Sequence, residues 1–176
     1  MQVFLFVRFA DSDGVHLAMI DTVRKQKRRC KENVVITNPW EDVRLNVFGC
    51  SVDLYAANPA KLVVTIANST GKVTVLDIHV RGGSEGYHIE NNDDLVVVKN
   101  SRAIGNTNYG YYILDNKVEI TGSPEISGNG VGVKIVGDNV VLRTNKVLSN
   151  AGVGIDVEGD DNVVRVALSK RTAVTA

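Results

Sequence analysis

Between Gly86 and Val164 one short phrase recurs: a glycine, an apolar residue, a variable residue and a second apolar residue. It reads Gly86-Tyr87-His88-Ile89, Gly110-Tyr111-Tyr112-Ile113, Gly132-Val133-Lys134-Ile135 and Gly154-Ile155-Asp156-Val157. The glycines are 24, 22 and 22 residues apart. A fixed period in the low twenties marks a solenoid, in which each repeat buries its apolar face only by stacking on its neighbours. The unit from Asn139 to Asn162 gives the internal plan. Apolar residues come two apart, as on a strand with one buried face, and Asn, Asp and Gly clusters separate the pairs. No helical period runs through it. Three short strands and three turns make one rung, and stacked rungs satisfy each other's backbone. The recurrent asparagines are then expected to stack as amide ladders at the turns.

This skeleton resembles the right-handed parallel β-helix repeat of pectate-lyase-like proteins and of proteins similar to the periplasmic copper-insertion accessory protein. The resemblance covers roughly residues 76 to 166. It implies an all-β, right-handed parallel β-helix of about five to six coils, and it leaves activity open, because a fold does not fix a function.

Placed in order, residues 1–32 are expected to form a strand and an amphipathic capping helix. Val15, Met19, Val23 and Cys30 fall on one helical stripe after the Asp11-Ser12-Asp13 cap. The basic run Arg24 to Lys31 then reads as the helix C-terminus facing water. Residues 33–168 form the parallel β-helix, two irregular coils preceding the regular ones, and residues 169–176 are a polar tail. No cap is evident at the C-terminal end.

Composition bounds the partners. Lysine plus arginine equal aspartate plus glutamate at 20 each, so no global charge draws the chain to nucleic acid or to an anionic membrane. No apolar run reaches the length of a membrane span. The apolar start, Met1 to Val7, lacks a basic region and a cleavage site, so no signal peptide is read, and the compartment stays open. Two cysteines, Cys30 and Cys50, make no framework of disulfides. No metal is expected. No cofactor is expected either, with calcium admitted only at the turn Gly159-Asp160-Asp161-Asn162.

If Tyr87, Ile89 and their counterparts point inward, the residues between them point out. His88, Tyr112, Lys134 and Asp156 then share one outward column, with Glu90, Leu114, Val136 and Glu158 beside it. Rungs about 4.8 Å apart make the column roughly 15 Å long, enough for several sugar rings. His88 and Tyr112 are candidate acids or bases, Lys134 a cation for a uronate carboxylate, and Asp156 a carboxylate. The motifs of polygalacturonases and uronate epimerases are missing. The reading is a polysaccharide-binding β-helix, a relative of lyases, hydrolases or epimerases of acidic glycans, with catalysis left open. The alternative is a structural or adhesive solenoid that self-associates through its C-terminal coil.

Overall fold

The structure, a computed structural model, describes residues 3–11, 14–23, 29–31, 33–41, 44–123, 125–168 and 174–175. In chain order the strands are Val3–Asp11 (β1), Gly14–Val23 (β2), Arg29–Lys31 (β3), Val34–Ile36 (β4), Leu45–Tyr55 (β5), Val64–Ala67 (β6), Val73–Arg81 (β7), Glu85–Glu90 (β8) and Val96–Lys99 (β9). They continue with Ala103–Ile104 (β10), Tyr109–Leu114 (β11), Val118–Thr121 (β12), Ile126–Ser127 (β13), Val131–Val136 (β14), Val141–Leu148 (β15), Ile155–Glu158 (β16), Val163–Leu168 (β17) and Val174–Thr175 (β18).

These strands build a parallel β-solenoid of about five turns, with no helix among the described residues. One side is a parallel sheet in the order β18-β16-β14-β11-β8-β6-β4. The other two sides belong to one continuous sheet that bends at a corner in every rung. Asp77, Asn100 and Gly122 turn that corner with φ of 57°, 53° and 66°. Asn and Asp tolerate this left-handed backbone better than other side chains, and glycine has no Cβ to clash. In β7 the strand runs through the corner unbroken. In the next two coils the corner separates β9 from β10 and β12 from β13.

The interior is layered, like on like. Ile36, Ile66, Ile89, Ile113 and Ile135 are successive register partners and are all buried. Each buried isoleucine contributes about 1.5–3 kcal/mol of hydrophobic stabilisation. Beside them Tyr87 and Tyr111 stack with ring centroids 4.8 Å apart and planes 7° apart, so the rings follow the rung spacing. Their hydroxyls donate to the carbonyls of Ile78 (2.7 Å) and Ser101 (3.2 Å). Burial pushes both phenols far above the ordinary tyrosine range.

The repeat glycines have a steric cause. A Cβ on Gly86, Gly110 or Gly132 would lie 2.5, 2.5 and 2.3 Å from the carbonyl oxygen of the next repeat glycine. Each would also crowd the amide nitrogen of Asn106, Asn129 or Asn150. Those asparagines form the expected ladder. The backbone N–H groups of Gly83, Asn106 and Asn129 donate to the side-chain oxygens of Asn106, Asn129 and Asn150 at 3.1, 3.0 and 3.0 Å. A second ladder ends in a carboxylate. Ser69 N–H donates to Asn92 Oδ1, and Asn92 donates to Asp115 Oδ2 through both its backbone and its side-chain nitrogen.

The capping helix is the expectation that fails. Gly14–Val23 is strand β2, paired antiparallel with β1 from Asp11↔Gly14 to Val3↔Val23. Val15, Met19 and Val23 are four apart, and four is also an even number, so a helical stripe and one face of a strand carry the same signal. Partner strands decide the outcome. β1 pairs antiparallel with β5 at Phe6↔Phe48 to Arg8↔Asn46, and β3 pairs with the far half of β5. The hairpin thus fills the strand edge of the first coil, where a bare edge would invite association. Residues 24–28 of the basic run lie outside the described residues. Within the stretch expected as a polar tail, β18 adds a short pairing to β16.

Candidate functional site

The smaller sheet presents the outward column. Val35↔Thr65, Thr65↔His88, His88↔Tyr112, Tyr112↔Lys134 and Lys134↔Asp156 are consecutive register partners. The four candidate residues therefore stand one above another on β8, β11, β14 and β16. The neighbouring column has Glu90 paired with Leu114 and Val136 with Glu158.

His88 is gripped from both sides. Its Nδ1 lies 2.7 Å from Glu85 Oε2 and its Nε2 lies 3.2 Å from Glu90 Oε2. A carboxylate oxygen beside each ring nitrogen favours the doubly protonated ring, in which both nitrogens donate. The Glu85 hydrogen bond raises the His88 pKa most; burial opposes it, and Glu90 adds to the rise. Its side chain is only 12% exposed, so this charge is partly screened from water.

Tyr112 adjoins it on the next rung, edge-to-face with His88 at 5.4 Å. It stacks on Tyr109 with centroids 4.6 Å apart and planes 19° apart. Burial first, and Tyr109 and Glu85 after it, push the Tyr112 phenol up, so it remains a protonated donor at neutral pH. One rung further, Lys134 Nζ contacts Asp156 Oδ2 at 2.8 Å and also pairs with Glu158. Hydrogen bonds from Asp156 and Glu158 raise the Lys134 pKa. Its cation is therefore already matched by two carboxylates. The strip holds four acidic side chains (Glu85, Glu90, Asp156, Glu158) against Lys134 and the protonatable His88.

Glu85 and Tyr109 belong to this cluster although strict alternation hides them. Glu85 and His88 are three apart, which on a regular strand puts them on opposite faces. Gly86 and Tyr87 both turn inward, and so do Gly110 and Tyr111, which returns the residue before each glycine to the outer face. The position preceding each repeat glycine was the legible clue. Elsewhere, His79 Nδ1 accepts the backbone N–H of Arg102 at 3.2 Å, and burial, then Arg102, lower its pKa. At the turn considered for calcium, Asp160 N–H donates to Asp138 Oδ1, while Asn162 Oδ1 accepts Val140 N–H and its Nδ2 donates to Gly137 O. No group of three or more His, Cys, Asp or Glu side chains suited to a metal occurs among the described residues.

A family model described as "Right handed beta helix region" matches residues 62–169, well over half of the chain. Neither the curated proteins nor the solved structures contain a significant match.

Proposed function

The chain belongs to the right-handed β-helix family, and from that premise we propose that it is a carbohydrate-binding protein whose outer strip on β8, β11, β14 and β16 holds a polysaccharide chain. One observation carries the reading: a stacked pair, Tyr109 and Tyr112, lies between two clusters rich in carboxylates. Aromatic faces pack against the C–H faces of sugar rings, and carboxylates accept hydrogen bonds from sugar hydroxyls on either side. Binding suits the strip better than turnover. A general base needs a free lone pair, and both nitrogens of His88 already point at carboxylates. Lys134, held by Asp156 and Glu158, has no spare charge for a uronate. The excess of carboxylates favours the neutral over the acidic polysaccharide, both of which the sequence reading admits.

Titration calorimetry with cellohexaose, laminarihexaose and chitohexaose tests this. At least one is expected to bind, and Tyr109→Ala with Tyr112→Ala should weaken binding tenfold or more, about 1.4 kcal/mol, with unchanged circular dichroism. No binding to any of them, or binding indifferent to both substitutions, refutes it. A second reading, end-to-end association, draws on Val157, Val164 and Val166, core positions near the last coils that stay partly exposed. A monodisperse monomer in light scattering argues against it.

A further inference from the structure

The corner where the larger sheet bends carries a cationic ridge. Lys99, Thr121, Arg143 and Arg165 are successive register partners on its first side. Across the corner stand Arg102 and Lys146, three residues after Lys99 and Arg143. Lys99, Arg143, Lys146 and Arg165 are exposed. None of the five cations makes an ion pair among the described residues, whereas Arg81 faces Asp53 and Lys134 faces two carboxylates. Arg102 Nε is buried and has no hydrogen-bond partner among the described residues. The acids on the intervening strand path are Glu119 and Glu125, and the Ser127 hydroxyl donates to Glu125 at 2.5 Å.

Arg143 and Arg165 sit directly across from one another on neighbouring strands, about 4.8 Å apart along the rod. That is inside the Debye length of about 8 Å at physiological salt, so they repel, and their fields also add. Like charges placed opposite each other weaken a sheet. We propose that this ridge is a second binding surface, separate from the tyrosine strip, and that its ligand is a linear anionic polysaccharide.

Guanidinium forks match carboxylate and sulfate groups in pairs, which a point-charge ammonium does not. The straight column suits a slender chain bearing charges at short intervals. Nucleic acid fits less well. No aromatic side chain stands among the described ridge residues from Lys99 to Arg165 to stack a base. Five cations also fall short of the roughly six to ten phosphate contacts typical of duplex binding.

The test measures binding of the full chain to polygalacturonate, dextran sulfate and duplex DNA by biolayer interferometry at about 50 mM and 200 mM salt. One or both anionic polysaccharides should bind, the sulfate and carboxylate arms showing which group is read. Arg143→Ala with Arg165→Ala should weaken that binding at least tenfold at low salt and reduce the slope of log K against log salt by about 1 to 2. Both side chains are exposed and repel one another, so the double variant should keep or raise its unfolding midpoint. Tyr109→Ala with Tyr112→Ala should leave polyanion binding unchanged, which separates this site from the strip. No binding to either polysaccharide, binding insensitive to the double arginine variant, or tighter binding to DNA overturns the proposal.

Discussion

Asn129→Ala should be among the most damaging single substitutions in the chain. The Asn129 side chain is 1% exposed. Its oxygen accepts the backbone N–H and the Nδ2 of Asn106 at 3.0 and 2.9 Å, and its nitrogen donates to Ala103 O and Asn150 Oδ1, both at 3.0 Å. Truncation leaves two donors of Asn106 without an acceptor, and Asn106 is itself 1% exposed, so water does not replace what is lost. An orphaned buried polar group costs about 1–3 kcal/mol, so the pair should cost about 2–6 kcal/mol. The whole fold is worth about 5–15 kcal/mol, so the loss is a large fraction of it. Asn116→Ala supplies the comparison. Asn116 is exposed and accepts one bond, from Asp138 N–H at 2.6 Å, so hydration should hold its cost to about 0.5–1.5 kcal/mol. Urea denaturation followed by circular dichroism reads both, with the midpoint falling and the slope unchanged. If Asn129→Ala costs no more than Asn116→Ala, the ladders do not hold the rungs together.

Gly110→Ala should destabilise by more than about 2 kcal/mol in the same assay, because its Cβ would lie 2.5 Å from Gly132 O. A loss below about 0.5 kcal/mol would mean that the rungs can part. Asp115 sits at the end of a buried ladder, where burial raises its pKa, so ionisation works against folding as pH rises through the carboxylate range. Asp115→Asn should remove that falling contribution, so the melting temperature should rise more steeply with pH through the carboxylate range than in the parent chain. His88 and His79 should pull in opposite directions. His88, raised by Glu85 and Glu90, contributes stability that is full below its unfolded pKa of about 6.5 and is lost as pH rises through the folded value. His79, lowered by burial, contributes above about 6.5 and loses that contribution as pH falls. Melts of His88→Gln and His79→Gln against pH should show slopes of opposite change.

The coils were legible because two local constraints repeat in every rung. Gly86, Gly110 and Gly132 face the next carbonyl too closely for a side chain, and Asn106, Asn129 and Asn150 must sit where the ladder runs. Equal spacing then fixes register, which is why His88, Tyr112, Lys134 and Asp156 could be placed in one column from the sequence. What escaped depends on contacts that no local pattern encodes. The fate of Gly14–Val23 turns on pairing with β1, and of β1 on pairing with β5, nearly forty residues on. The neutralisation of Lys134 by Glu158 is diagonal, two residues beyond its register partner. The cationic ridge lies across a left-handed corner, where strand alternation no longer says which residues are neighbours.

The sugar strip is tested most directly by following backbone amide resonances while cellohexaose, laminarihexaose or chitohexaose is added. Shifts are expected to cluster at Glu85–Glu90, Tyr109–Leu114, Val131–Val136 and Ile155–Glu158, with the interior of β9 and β12 unmoved. An unchanged spectrum at millimolar sugar, or shifts gathered away from those four strands, would contradict it.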